Sequence, residues 1–190
     1  MKGENYLEHL GTRTLVTNRL ILRKFDVNDS QQIFTNWGSD ELTARYVSWK
    51  AHTNEEETKA ILGTWLNDYD TLDTYNWAVE LKDTGEIIGR IMVTRKKDRF
   101  QTCRIGYNYG SKYWGNGYAT EALKEVCGYL LEEVGYRLVE ARYISGNPAS
   151  GRVMEKAGMK KDGILRQRQI DKITGAIYDL ITYSIVKEEL

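Results

Sequence analysis

The chain has 190 residues, 41% of them hydrophobic and 28% charged, enough apolar matter for a single well-filled globular domain spanning residues 1–190. Its 27 basic and 27 acidic residues cancel, so no global field draws it to nucleic acid or to an anionic membrane. MKGENYLEHLGTRT, at the N-terminus, lacks the apolar core of a signal peptide, and no uninterrupted apolar run reaches membrane-spanning length, so a cytoplasmic protein is expected.

Leu20, Leu22 and Phe25 punctuate TLVTNRLILRKF and predict a first strand, followed by a short helix opened near Asn28 and closed at Gly38. SDELTARYVSWKAH reads as irregular. A second helix is expected from Thr53, because Thr53 and Glu56 have capping-box spacing and Ile61, Leu62, Trp65 and Tyr69 continue at helical intervals. YNWAVELKDTGEIIGRIMV places two apolar runs around Asp83, Thr84 and Gly85, the pattern of an antiparallel hairpin. A charged loop, TRKKDR, then precedes a third sheet segment, TCRIGYNYG.

From Ala119 onward, Ala122, Leu123, Val126, Cys127, Leu130, Leu131 and Val134 form one helical stripe, and Gly135 is placed to cap its end. RLVEARYI reads as a strand. Asn147 as N-cap with Pro148 in the first helical position predicts a helix that stops at Gly158. ILRQRQI and AIYDLITYSIV finish the chain as a hairpin, giving a mixed α/β sandwich. Cys103 and Cys127 have no CxxC spacing, and the only histidines are His9 and His52, so packed reduced thiols and no metal are expected.

YWGNGYATEAL, residues 113–123, lies where a strand gives way to that helix. Free amides in a first helical turn, with the helix dipole, suit a pyrophosphate, and glycines let the backbone approach its oxygens. A tight turn alone also explains Gly115 and Gly117. A Rossmann fingerprint would need a glycine where Thr120 stands, which demotes a dinucleotide-dependent oxidoreductase, and no GxxxxGK[ST] occurs.

RIGYNY, YWGNGYATEAL, NPASGRVMEKAGM with DG just after it, and the early TNRLILRKF together resemble the GNAT acetyltransferases, in the branch of the ribosomal-protein alanine N-acetyltransferases. The likeness runs from about Thr17 to Val186 and rests on motif order. It implies a mostly antiparallel mixed central sheet flanked by helices, with splayed central strands. The family signature (Q/R)xxGx(G/A) aligns with Trp114, Gly115, Asn116, Gly117, Tyr118 and Ala119, departing at Trp114. The resemblance thus implies a pyrophosphate cradle for acetyl-coenzyme A made by the backbone of these residues and Thr120. It further implies that pantetheine lies along Tyr107, Asn108 and Tyr109, that a backbone N–H near Tyr107 polarises the acetyl carbonyl, and that Asn147 bonds the pantetheine arm. The tyrosine that protonates the sulfur in many relatives is replaced by Met154, a side chain without a proton to donate, which makes Ser150, one turn earlier, the candidate acid.

The usual glutamate base is replaced by Arg104, leaving Glu140, Asp179 or water. Tyr46, Trp49, Trp65, Tyr75 and Trp77 are available to shape the acceptor site, although most large aromatics belong to the core, and Lys156, Lys160 and Lys161 read either as contacts to the nucleotide phosphate or as ordinary surface lysines. Glu55, Glu56 and Glu57 read as solvated charge at a helix N-terminus. The expected activity is transfer of an acetyl group to a primary amine by direct attack in a ternary complex, with a protein N-terminus such as that of a ribosomal protein favoured over a small-molecule amine. The protein is expected to act as a monomer or homodimer. Arg104 and Met154 also motivate an alternative, a catalytically weak acyl-coenzyme A-binding module.

Overall fold

The computed structural model describes residues 7–171 and 174–190; residues 1–6, which begin the stretch searched for a signal peptide, lie outside the described residues. The expected first strand is two. β1 (Leu15–Val16) and β2 (Leu20–Arg23) fold back on each other, with the Thr17 amide donating to the Leu20 carbonyl. The next helical stretch opens at Asp26 rather than Asn28, because Asp26 accepts from the Asn28 amide while Asp29 accepts from the Asp26 amide, a reciprocal box strengthened by charge. It continues through α1 (Ser30–Ile33) and a wide π turn that ends at Gly38.

Glu41–Ala44, expected to be irregular, form one helical turn, α2, whose first amides are capped by Asp40. α3 (Glu55–Asp68) is capped by Asn54 and not by Thr53: Asn54 accepts from the Glu57 amide, and the Glu57 carboxylate takes the Thr53 amide and hydroxyl. β3 (Asn76–Leu81) and β4 (Ile87–Lys97) form the expected hairpin. β4 runs on through Thr94–Lys97, assigned above to a loop; an exposed strand end carries polar residues on both faces and loses the alternation that marks a strand.

β5 (Thr102–Tyr109) leads into α4 (Tyr118–Gly128), which continues as a wide turn and closes at Gly135 with φ 89°. The whole predicted stripe from Ala122 to Val134 is buried. β6 (Leu138–Ile144), α5 (Pro148–Lys156), β7 (Lys160–Ile170) and β8 (Ile177–Val186) follow, with β7 starting four residues before the expected Ile164. The strands order as β1-β2-β3-β4-β5-β6-β8-β7 in a mostly antiparallel sheet. β5 and β6 run parallel, and their ladder pairs Thr102 with Leu138, Cys103 with Val139 and Arg104 with Glu140, although β5 continues to Tyr109.

The chain divides into two compact units. His9–Val93 with Tyr107–Glu125 has a core of Phe25, Ile33, Trp37, Leu62, Ala78 and Ile87, against which Trp49, Trp65, Leu66 and Tyr69 pack. Thr94–Gly106 with Val126–Leu190, joined by Leu7 and Glu8, buries Val126, Leu130, Leu131, Val139, Ile181 and Ile185. Cys103 and Cys127 are buried free thiols in this second unit, and burial pushes the Cys127 pKa up to about 12. Among the described residues, no helix is long and apolar enough to cross a membrane.

Candidate active site

Gly115 and Gly117 both stand at φ 81°, in the left-handed region that side chains disfavour, so this turn selects glycine on backbone grounds alone. A Cβ on Gly115 would meet nothing within 4 Å, and one on Gly117 only Arg19 Nη2 at 3.6 Å. The turn therefore faces open space. The amides of Tyr118, Ala119 and Thr120, in the first turn of α4, donate to no protein carbonyl among the described residues, whereas Glu121 N–H reaches the Gly117 carbonyl. These donors, two left-handed glycines and an 11-residue helix behind them fit a pyrophosphate.

Residues that sequence reasoning passed over hold the turn in place. Arg19 donates from Nη1 to the Asn116 carbonyl at 3.0 Å and stacks over Tyr118 at 4.6 Å. The Glu121 carboxylate accepts from Thr17 Oγ1 at 2.6 Å, from the Arg19 amide at 2.8 Å and from Arg19 Nε at 2.8 Å. Burial opposes its charge, but these donors prevail and hold it below the ordinary glutamate range. Trp114, where the family signature has Gln or Arg, sends its indole N–H to the Tyr109 carbonyl at 2.7 Å and so ties the turn to the end of β5. Upstream, the Ser111 amide donates to Asp40 at 2.7 Å, and Lys112 Nζ to Asn36 Oδ1 at 2.9 Å. Arg19 stood inside a quoted motif; its partner lies 102 positions away, and no local pattern announces the pair.

On β5, Tyr107 is half-buried, while Asn108 and Tyr109 are each 6% exposed. Asn108 Nδ2 and Tyr109 Oη are buried without a hydrogen-bond partner among the described residues, and burial pushes the Tyr109 hydroxyl pKa far up. The strand position that demands glycine here is on its neighbour: a Cβ on Gly89 of β4 would lie 2.4 Å from the Asn108 carbonyl oxygen.

In the second unit, Asn147 caps α5 as expected, its Oδ1 accepting from the Ser150 amide at 3.4 Å. The cap uses only the oxygen. Ser150 is half-buried in the first turn, and Met154 is 1% exposed, so a tyrosine at that position would have to displace the core. Of the carboxylates considered as base, Glu140 is bonded to Arg104 Nε at 2.5 Å, its direct partner in the β5–β6 ladder, and Asp179 accepts from the Gln167 amide at 2.8 Å.

Tyr75 and Trp77 are core residues, 2% and 0% exposed, so neither shapes an acceptor site; they lie in a strand whose first four positions are all buried or flank that run. Trp65 and Trp49 pack against the core with part of their surface open, and Tyr46 lies 6.4 Å from the Trp114 ring. Lys160 is paired with Glu189 at 2.6 Å, while Lys156 and Lys161 are exposed. Glu55, Glu56 and Glu57 occupy the first turn of α3.

With this geometry established, comparison with known proteins is specific. A family model described as an acetyltransferase (GNAT) domain matches residues 19–160. The uncharacterized N-acetyltransferase YoaA of Bacillus subtilis is 33% identical over 173 residues, covering 91% of this chain and 96% of its own. The [ribosomal protein uS5]-alanine N-acetyltransferase of Escherichia coli is 30% identical over 153 residues, covering 78% and 79%. Among solved structures, a GNAT-family acetyltransferase from Bacillus anthracis superposes with a TM-score of 0.80 at 25% identity, covering 93% of this chain and all of its own. The chain belongs to the GNAT acetyltransferases and is an acetyl-coenzyme A-dependent N-acetyltransferase.

Proposed function

We propose that the protein transfers the acetyl group of acetyl-coenzyme A directly to a primary amine within a ternary complex, with an N-terminal α-amine as the favoured acceptor. The observation that carries this reading is the open left-handed glycine turn at the head of α4, fixed by Arg19 and Glu121. In it, the backbone from Trp114 to Thr120 holds the pyrophosphate. Tyr107, Asn108 and Tyr109 flank the pantetheine, which the short β5–β6 ladder supports, and the Tyr107 amide polarises the acetyl carbonyl. Asn147 adds a hydrogen bond from its amide nitrogen, compatible with the cap, which uses Oδ1.

The amine nitrogen attacks the carbonyl carbon, the carbon–sulfur bond breaks, and the thiolate takes a proton from Ser150, which recovers one from water in the same relay, or from a water that Ser150 orients. With Glu140 engaged by Arg104 and Asp179 by the Gln167 amide, the amine proton leaves through water. This arrangement suits an α-amine, which titrates near about 8, better than a lysine near about 10.4. The likeness to an alanine N-acetyltransferase supports the same choice.

The test is thiol release from acetyl-coenzyme A across peptides with Ala or Ser N-termini, polyamines and aminoglycosides. Turnover on the peptides is expected. Tight acetyl-coenzyme A binding with no turnover on any amine would instead identify a regulatory acyl-coenzyme A-binding module.

A further inference from the structure

The helix-side face of the sheet in the unit formed by His9–Val93 and Tyr107–Glu125 carries two polar side chains whose sequence neighbourhoods give no hint of each other. Register sets them side by side. The Gly110 amide donates to the Ile88 carbonyl at 3.0 Å, and a Cβ on Gly89 would lie 3.0 Å from the Tyr109 Cα. Residue 88 thus faces 110, 89 faces 109, and Arg90 faces Asn108. Directly opposed residues project to the same side with their Cβ atoms about 5 Å apart. Across the other edge of β4, Arg90 pairs with Ala78, a member of the core beneath the helices, so both side chains lie on that face.

Arg90 is held rigidly. Its Nε donates to Asn76 Oδ1 at 2.6 Å, and its Cζ lies 3.8 Å from the centre of the Trp65 ring. Its terminal nitrogens make no hydrogen bond or ion pair among the described residues, although part of the residue remains open to solvent. Burial pulls its pKa down to about 10, an effect that Tyr69 and Asp68 oppose only in part. At neutral pH it remains a poorly solvated cation with no counter-ion in contact, a costly state. Asn108 beside it is 6% exposed, with Nδ2 buried and unpartnered.

The buried unpartnered atom of Asn108 and the terminal nitrogens of Arg90 are all donors. Only an acceptor answers both, and only an anion also answers the charge. A planar group with two oxygens matches the guanidinium fork. Asn108 directly follows Tyr107, whose amide is assigned above to the acetyl carbonyl, and one strand residue advances only about 3.3 Å, a span that a short amino acid bridges.

We propose that Arg90 and Asn108 form a carboxylate-binding subsite for the acceptor, so that the substrate class is amines carrying a nearby carboxylate. This rests on the N-acetyltransferase reading above. The carboxylate belongs either to a free amino acid or to an acidic side chain near a peptide N-terminus, and the assay separates the two.

Thiol release is measured for matched pairs: free amino acids against their amides, and peptides with Asp or Glu at the second position against their Asn or Gln counterparts. In parallel, tryptophan fluorescence follows binding of N-acetylated amino acids and of their amides, since Trp65 lies against Arg90. The carboxylate member of one series should be favoured by at least about tenfold, the scale of one charge-assisted hydrogen bond. Arg90→Met should erase that preference while acetyl-coenzyme A affinity stays unchanged. Asn108→Asp supplies a permanent carboxylate beside the guanidinium, so it should raise Tm and also erase the preference, which keeps the test decisive if Arg90→Met folds poorly. Equal rates and equal Kd for both members in the parent protein, or a preference surviving either variant, overturns the proposal. Turnover without preference removes the subsite and leaves the transferase; preferential binding of acetylated acids without turnover on any amine removes the transferase and leaves the subsite.

Discussion

Alanine at Gly117 separates a phosphate cradle from an ordinary turn when it is compared with alanine at Gly85. Gly117 has φ 81° and Gly85, in the β3–β4 turn, has φ 69°, so both backbones are left-handed. A Cβ at Gly117 would make one ordinary contact, 3.6 Å to Arg19, and a Cβ at Gly85 would meet nothing within 4 Å. Neither substitution clashes with protein. Each therefore costs about the same backbone strain, 1–2 kcal/mol, which in a chain of this length lowers Tm by about 2–8 °C. If the turn is the proposed cradle, only the Gly117 methyl occupies the space through which phosphate oxygens approach the amides of α4. Acetyl-coenzyme A titrated by calorimetry should bind Gly117→Ala at least about tenfold more weakly, the loss of roughly one charge-assisted hydrogen bond, and Gly85→Ala as tightly as the parent. Matching Tm losses in the two variants with unchanged affinity in both would refute the cradle.

Ser150→Ala should lower turnover by about tenfold to a hundredfold with little change in the KM for acetyl-coenzyme A, since proton donation acts mainly in the transition state. Its melting curve is the control for first-turn stability; parent-like turnover reduces Ser150 to a helix residue. His52, bonded to the Thr58 hydroxyl at 2.7 Å, is shifted downward by burial, with Glu57 opposing only in part. Its folded pKa therefore lies below its unfolded value of about 6.5, so its contribution to stability is complete above that pH and disappears as pH falls through the folded value. Between about pH 7 and about pH 5, the Tm of His52→Gln should fall less steeply than that of the parent, and parallel curves would contradict the assignment.

Helix α4 was readable because its signal is dense: seven apolar residues on one stripe and a glycine where the chain must reverse. The hairpins were readable for similar reasons. Capping was misplaced by one or two residues at Asp26 and Asn54, since several good caps stand in a row and only the folded backbone chooses among them. Thr94–Lys97 looked like a loop because charge on both faces hides a strand. The glycine turn was visible as a motif, but its supports were not. Arg19 and Glu121 lie 102 positions apart and meet only in the folded chain, and Arg90 comes to stand opposite Asn108 only once strand register is set. Tyr75 and Trp77 are core residues and not acceptor contacts because an aromatic near a motif says nothing about whether its segment is covered on both faces.

The clamp on the glycine turn bears on the speed and heat of recognition. Glu121 is fully engaged by Thr17 and Arg19, and Arg19 also holds the Asn116 carbonyl, so the loop gives up its conformational freedom when the chain folds. Under the proposed cofactor reading, little entropy is left to lose when a pyrophosphate arrives. A cradle ordered in advance favours lock-and-key association, with backbone shifts below about 1 Å between free and bound forms. Cutting the clamp by Arg19→Met would then leave every donor in place yet convert a rigid receptor into one that must be ordered by its ligand.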